Sequence, residues 1–179
     1  MTLVTGSLSS RIQGSDMLDP TGLGRWTGVT LGGSNGQKLT IITAYRVCFG
    51  SIKSAPLGSA FAREHFFFQQ RHPKQSINPR QFFLRDLEAS ILELQRNEHA
   101  VILMLDANAA TASDPQFASF IDNCSFNDFH SAAPAQSTYI SSNDRRIDYV
   151  PTHYNIWIVR ELSHIQKGHS PTIGASTSI

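Results

Sequence analysis

The sequence predicts an α/β fold, and three observations carry that prediction. Residues 38–45 (KLTIITAY) and 100–105 (AVILML) are runs of β-branched and apolar side chains of strand length. Between them, residues 78–97 carry apolar side chains at three- and four-residue spacing, the pattern of an amphipathic helix. Strand-type segments outnumber helical ones along the chain, which predicts sheets packed together with helices outside them.

Taken in order, residues 2–5 read as a short strand, and 6–24, crowded with Gly, Ser, Asp and Pro, as a loop. Residues 25–31 alternate as a strand does. The Gly32-Gly33-Ser34-Asn35-Gly36 turn signal then makes 25–31 and 38–45 a hairpin. Residues 46–78 read as a long irregular segment. Its Phe66-Phe67-Phe68 run is expected to pack into the core, with stacking on bases as the alternative. Asn78 followed by Pro79 supplies an N-cap and a first-turn proline. Phe83, Leu84, Leu87, Ile91 and Leu94 form the stripe of the helix that ends near Asn97. The run 100–105 is apolar throughout and reads as a strand buried on both faces. Asp114-Pro115 opens a second helix to about Asp122. Residues 137–140 and 146–150 read as strands joined by a turn at 141–144, and 156–159 as one more.

The chain has 179 residues, enough for one domain with a real core. Charged residues make up 16% against 40% hydrophobic, a globular balance rather than a disordered one. Lys+Arg 15 against Asp+Glu 14 leaves a net charge of +1, which excludes a strongly basic coat but not a local basic patch. Most of the cations are Arg, which suits bidentate contacts to phosphate. Cys48 and Cys124 lie far apart and in no metal-binding spacing, which argues against zinc and against a disulfide framework. With no apolar run of membrane-spanning length and no signal-peptide pattern, the expected setting is intracellular, nuclear or cytoplasmic, with no membrane partner.

Three places carry polar chemistry. Asp106-Ala107-Asn108 directly follows the apolar strand, where an unpaired buried carboxylate is costly. Asp106 there suits holding a cation or a water, and Asn108 donating to a phosphate oxygen; the alternative is an Asx-turn leaving the strand, with Asn108 capping. Strand alternation puts Arg146 and Asp148 on one face and Ile147 and Tyr149 on the other. That pair is either a structural ion pair or the orienter of a base. Tyr45 closes the 38–45 strand, either as a hydroxyl donor to an oxyanion or as a lid on the core.

The order of Thr43-Ala44-Tyr45, Asp106-Ala107-Asn108 and Arg146-Ile147-Asp148-Tyr149 resembles the endonuclease/exonuclease/phosphatase superfamily, the DNase I-like fold. Gly24-Arg25-Trp26-Thr27, the 43–48 run, Gln69-Gln70 and Asp86-Leu87 look like the branch found in mobile-element reading frames. The resemblance covers about residues 2–170 and implies a single partial domain over 1–179. It implies a four-layer sandwich, two packed sheets flanked by helices, here incomplete. It also implies a Mg²⁺-dependent phosphodiesterase acting on DNA, with Tyr45, Asp106, Asn108 and Asp148 as catalytic residues, Asp106 as a metal ligand and Arg146 binding substrate. The superfamily's metal-binding Glu on an early strand and its Ser-Asp-His segment have no match; Gly168-His169-Ser170 is nearest to the latter. Weak or absent activity and marginal stability are therefore expected of this chain. Two other readings stand beside this one: a non-catalytic remnant that binds nucleic acid or a partner, and a phosphatase acting on a small or lipid phosphate.

Overall fold

The computed structural model describes residues 4–48, 50–53, 55–128 and 148–152. The architecture is mixed α/β. In chain order it comprises β1 (Ile12–Leu18), β2 (Trp26–Gly32), β3 (Lys38–Tyr45), α1 (Ala60–Arg71), α2 (Pro79–Arg96), β4 (His99–Asp106) and α3 (Pro115–Asn123). Three two-residue strands follow: β5 (Asn127–Asp128), β6 (Asp148–Tyr149) and β7 (Pro151–Thr152). All seven strands lie in one sheet, ordered β1-β2-β3-β4-β7-β5, with β6 also paired to β4. The second sheet of the expected sandwich is not among the described residues.

β2 and β3 form the expected hairpin, from Trp26 opposite Ala44 to Gly32 opposite Lys38. Asn35 in the turn has φ 57°, a left-handed conformation that Asn tolerates better than most residues. β3 and β4 pair in parallel, from Lys38 beside His99 to Tyr45 beside Asp106. A parallel pair needs a crossover, and α1 and α2 supply it.

The helices cover one sheet face. Ile42, Ala44, Val101, Leu103 and Leu105 from the strands meet Phe83, Leu87 and Ile91 of α2 and Phe117 and Phe120 of α3. The apolar stripe of α2 is thus the core stripe its spacing predicts. Asn78 caps it by accepting from the Arg80 N–H, and Asp114 caps α3 by accepting from the Phe117 N–H. β4 is buried on one face only. On the other, Ile102 is half-buried and Met104 is 37% exposed, a correction to the expectation of two buried faces.

Other expectations are corrected as well. Val4 and Thr5 are outside any strand, and a 3₁₀ helix (Gly6–Arg11) and β1 occupy what reads as loop. β1 pairs with β2 through two register shifts, so its sequence never shows a clean period of two. α1 forms within the segment read as irregular. Ser59 caps it by accepting from the Ala62 N–H, and Ala62, Glu64 and Phe68 are its buried residues. Of the three phenylalanines only Phe68 is fully in the core, stacked on Phe82 of α2 at 4.4 Å between ring centroids. The expected strands 137–140 and 156–159 lie outside the described residues, as do Arg146 and Ile147 of the 146–150 strand.

A buried ionic cluster joins the β1–β2 connection to both crossover helices. Arg25 holds Asp19 in a two-point contact (Nε to Oδ2 3.0 Å, Nη2 to Oδ1 2.9 Å) and reaches Asp86 of α2 at 3.0 Å. Its guanidinium lies 4.6 Å from the centre of the Trp26 ring and 5.2 Å from that of Phe68. Burial opposes ionisation of Asp19, but hydrogen bonds from Arg25 and Thr21 outweigh it and bring the carboxyl down to about 2. Glu64 of α1 sits nearby at 5% exposure, with Oε2 lacking a hydrogen-bond partner among the described residues.

Burial pushes the Glu64 carboxyl up to about 7, and the Arg25 charge only partly counters it. A carboxyl raised from 4.5 to about 7 favours the fold fully below the lower value, and that advantage is lost as pH rises through the higher one. Glu64→Gln removes this dependence. Thermal melts at about pH 5 and about pH 8 should show the variant gaining on the parent at the higher pH, by on the order of 3 kcal/mol. Parallel pH profiles for the two proteins would contradict the assignment.

Candidate active site

Tyr45 is the last residue of β3, Asp106 the last of β4, and the two are register partners. Asp148, the first residue of β6, is the antiparallel partner of Asp106. Three of the residues singled out from sequence therefore stand in one row at one end of the sheet. Of Asp148 only the backbone is described, and Arg146 lies outside the described residues.

Two turns fix this end. The Arg46 N–H donates to the Asp106 carbonyl at 2.9 Å, extending the β3–β4 ladder by one rung. The Asn108 N–H donates to Asp106 Oδ1 at 3.2 Å, and Asn108 has φ 47°. That is the Asx-turn weighed from sequence, so Asp106 shapes the strand exit whatever else it does. Asn108 caps no helix. Its Nδ2 donates to the Arg46 carbonyl at 2.7 Å, and its Oδ1 accepts from Cys48 Sγ at 3.3 Å. Cys48 Sγ in turn lies 3.7 Å from Tyr45 Oη. Tyr45, Cys48 and Asn108 thus form a chain of contacts across the two strand exits.

Alternation along β3 buries Ala44 against the helices and turns Tyr45 away from them, 43% exposed, so Tyr45 is no lid on that core. The Cys48 contact, then partial burial, then the Cys48 and Asp106 charges push the Tyr45 hydroxyl up to about 12. It stays a neutral donor throughout the physiological range. Tyr149 is instead structural. It is buried edge-on against Phe117 at 4.9 Å, and its Oη accepts from the Thr111 N–H at 3.2 Å.

Beneath the row lies a second buried cluster. Asp114 accepts from Phe117 through Oδ1, and from Arg46 (2.8 Å) and Arg80 (3.4 Å) through Oδ2. Arg80 also donates to the carbonyls of Val47 (2.5 Å) and Asn108 (3.1 Å), clamping the exit of β3 to that of β4. Arg46, at 1% exposure, donates through Nε to the Arg80 carbonyl at 3.4 Å. Burial, then the charge of Arg80, holds the Arg46 guanidinium below its ordinary value. Burial acts to raise Asp114, but its hydrogen bonds from Phe117 and Arg46 and the two cations bring it below the ordinary carboxylate value.

These residues are not apparent from sequence. Asn78-Pro79-Arg80 and Asp114-Pro115 announce helix starts, which masks their second duty as partners of Arg46. The available signal is their charge: in a chain with only 16% charged residues, cations and an acid at element ends call for partners. Nothing in the spacing of Cys48, or in the 43–48 run that contains it, points to its place between Tyr45 and Asn108.

The resemblance implies Mg²⁺, which takes near-octahedral oxygen ligands, usually one or two carboxylates plus water. Among the described residues no group of three His, Cys, Asp or Glu side chains lies together. Asp106 is the one described carboxylate in the row, and the Asn108 amide oxygen already accepts from Cys48. The described donors do not fit a metal site built by the protein. No helix among them is long and apolar enough to cross a membrane.

Comparison with solved structures finds similarity to the human Nocturnin catalytic domain, at 15% identity and TM-score 0.46, over 72% of this chain and 40% of that one. An endonuclease/exonuclease/phosphatase family protein from Bacteroides thetaiotaomicron is similar at 13% identity and TM-score 0.42, over 72% and 40%. Sphingomyelinase C from Streptomyces griseocarneus is similar at 18% identity and TM-score 0.39, over 71% and 41%. The chain spans about two fifths of the length of each. No family model matches the chain, and no curated protein matches it. Likeness at this level carries nothing about activity, which rests on the site's own geometry.

Asp114→Ala removes the α3 cap and leaves two buried guanidiniums without their shared carboxylate. A loss of about 3–5 kcal/mol is expected in urea unfolding. The parent itself should lose stability as pH falls below 3.8 and through the lower folded value of Asp114, because a depressed carboxylate favours the fold only while ionised. A variant as stable as the parent would show that the cluster is not holding the strand exits.

Proposed function

We propose that this end of the sheet is the phosphate-facing part of a phosphodiester hydrolase site of the DNase I-like type, with DNA as substrate. The observation that carries the reading is the alignment of Tyr45, Asp106 and Asp148 at one level on three neighbouring strands. Asn108 lies two residues beyond, its amide held by the Arg46 carbonyl.

In this reading Tyr45 donates its hydroxyl proton to a non-bridging phosphate oxygen, a role suited to a phenol that does not ionise near neutral pH. One Asn108 N–H is spent on Arg46, and the second donates to the same phosphate. Asp106 accepts from the attacking water and orients it toward phosphorus. Asp148 is the second acidic group of the row, and Arg146 contacts the substrate phosphate. Turnover by this chain is low in this reading, because the superfamily's metal-binding Glu and Ser-Asp-His segment have no match in the sequence and such groups act as a unit.

Nicking of supercoiled plasmid, with and without Mg²⁺, tests this. The expected result is slow nicking that falls about 100-fold or more in Asp106→Ala and about tenfold in Tyr45→Phe. Nicking that survives Asp106→Ala unchanged, or a parent chain that cleaves no phosphodiester, would overturn the proposal.

A further inference from the structure

The outer face of α1 has no part in the site above. We propose that it is a binding platform for single-stranded nucleic acid, with Phe66 stacking on a base and Arg63, Arg71 and Lys74 meeting the phosphates. The inference uses none of the residues of the hydrolase reading and stands without it.

Three observations converge on this face. The first is aromatic exposure. α1 needs only Ala62, Glu64 and Phe68 for its buried side, and leaves Phe66 46% exposed. Phe66 is not alone there. His65 meets it edge-on at 6.0 Å and stacks on Phe61 at 6.4 Å, so a row of ring faces and edges runs along the helix. The alternative weighed from sequence for the Phe66-Phe67-Phe68 run, stacking on bases, is therefore open to Phe66 on steric grounds.

The second is charge. From residue 46 to residue 85 the sequence holds one acidic residue, Glu64, and that side chain is buried. Lys53, Arg63, Arg71 and Lys74 are exposed, and no ion pair engages any of them among the described residues. In a chain of net charge +1 this is a local concentration of unneutralised cations, the footprint a polyanion reads.

The third is the way the two features interleave. The Arg71 guanidinium lies 3.5 Å from the centre of the Phe67 ring, and Arg85 of α2 lies 4.3 Å from that of Phe82. Phe82 itself stacks on Phe68 of α1. Arg85 is held by Asp86, but Arg71, in no ion pair among the described residues, sets a cation over the ring next in sequence to the exposed Phe66, and Arg63 precedes Phe66 by one turn, so α1 offers cations for phosphates and a π-face for a base. A duplex hides its base faces, so the same surface favours single strands. An acidic peptide would use the cations but not the ring row.

Fluorescence anisotropy with a labelled oligodeoxythymidine of about 20 nucleotides, a duplex of equal length and phosphatidylserine vesicles tests the proposal. Single strands should bind more tightly than duplex. Phe66→Ala should weaken single-strand binding about 5- to 100-fold without changing its salt slope. Arg71→Ala should reduce that slope by about 0.7. Both side chains are exposed, so unchanged melting temperatures certify the fold. A parent chain that binds single strands but nicks no plasmid tells against the hydrolase reading alone, and one that nicks plasmid but binds no single strand tells against this platform alone. Equal affinity of Phe66→Ala and parent, tighter duplex binding, or vesicle binding that takes the place of oligonucleotide binding and is lost with Phe66 would overturn it.

Discussion

Tyr45 and Asp106 are neighbours because β3 and β4 run parallel and in register along their whole lengths. Parallel strands leave the sheet at the same end, so both exits open side by side and whatever they carry is gathered there. The crossover that this pairing demands brings α1 and α2 onto the sheet. Arg80, in the first turn of α2, then holds the two exits together through the carbonyls of Val47 and Asn108. The row of site residues, the position of the helices and the buried cluster all follow from that one pairing.

Burying two guanidiniums on a single carboxylate looks unfavourable, since desolvated charge is costly. The carbonyls of Val47, Arg80 and Asn108 offset part of that cost by accepting from the same groups. Two cations against one anion still leave one positive charge behind the loop that carries Asn108. A fixed charge in a poorly solvated place acts at longer range than one in water. It favours an anion at the strand ends without the entropy loss of ordering a flexible side chain.

Most of this architecture is legible in the sequence where local signals and tertiary demands agree. The 38–45 run, the stripe of α2 and the Asn78-Pro79 and Asp114-Pro115 starts each satisfy propensity, capping and burial at once. β1 escapes because its register shifts erase alternation, and α1 because three consecutive aromatics obscure which face is buried. The one-faced burial of β4 is equally invisible, since an apolar strand reads the same whether its second face is covered or open. At the site, the strand-end positions of Tyr45 and Asp106 are readable from the runs that end there, whereas Asp148 reads as the middle of a strand. The Cys48 and Arg80 contacts are not readable, because they join residues far apart in the chain.

The irregularity that hides β1 has a consequence for the molecule's behaviour in a crowded solution. Among the described residues β1 stands at one end of the strand order, where a regular strand would offer a ladder of donors and acceptors to any other extended chain. Shifts between Ile12 and Gly14 and between Gly14 and Met17 break that ladder into short pieces that no straight strand can match. The same defects that spoil the sequence pattern guard this border of the sheet against growth by self-templating, and a version of β1 with its bulges removed would trade that protection for regularity.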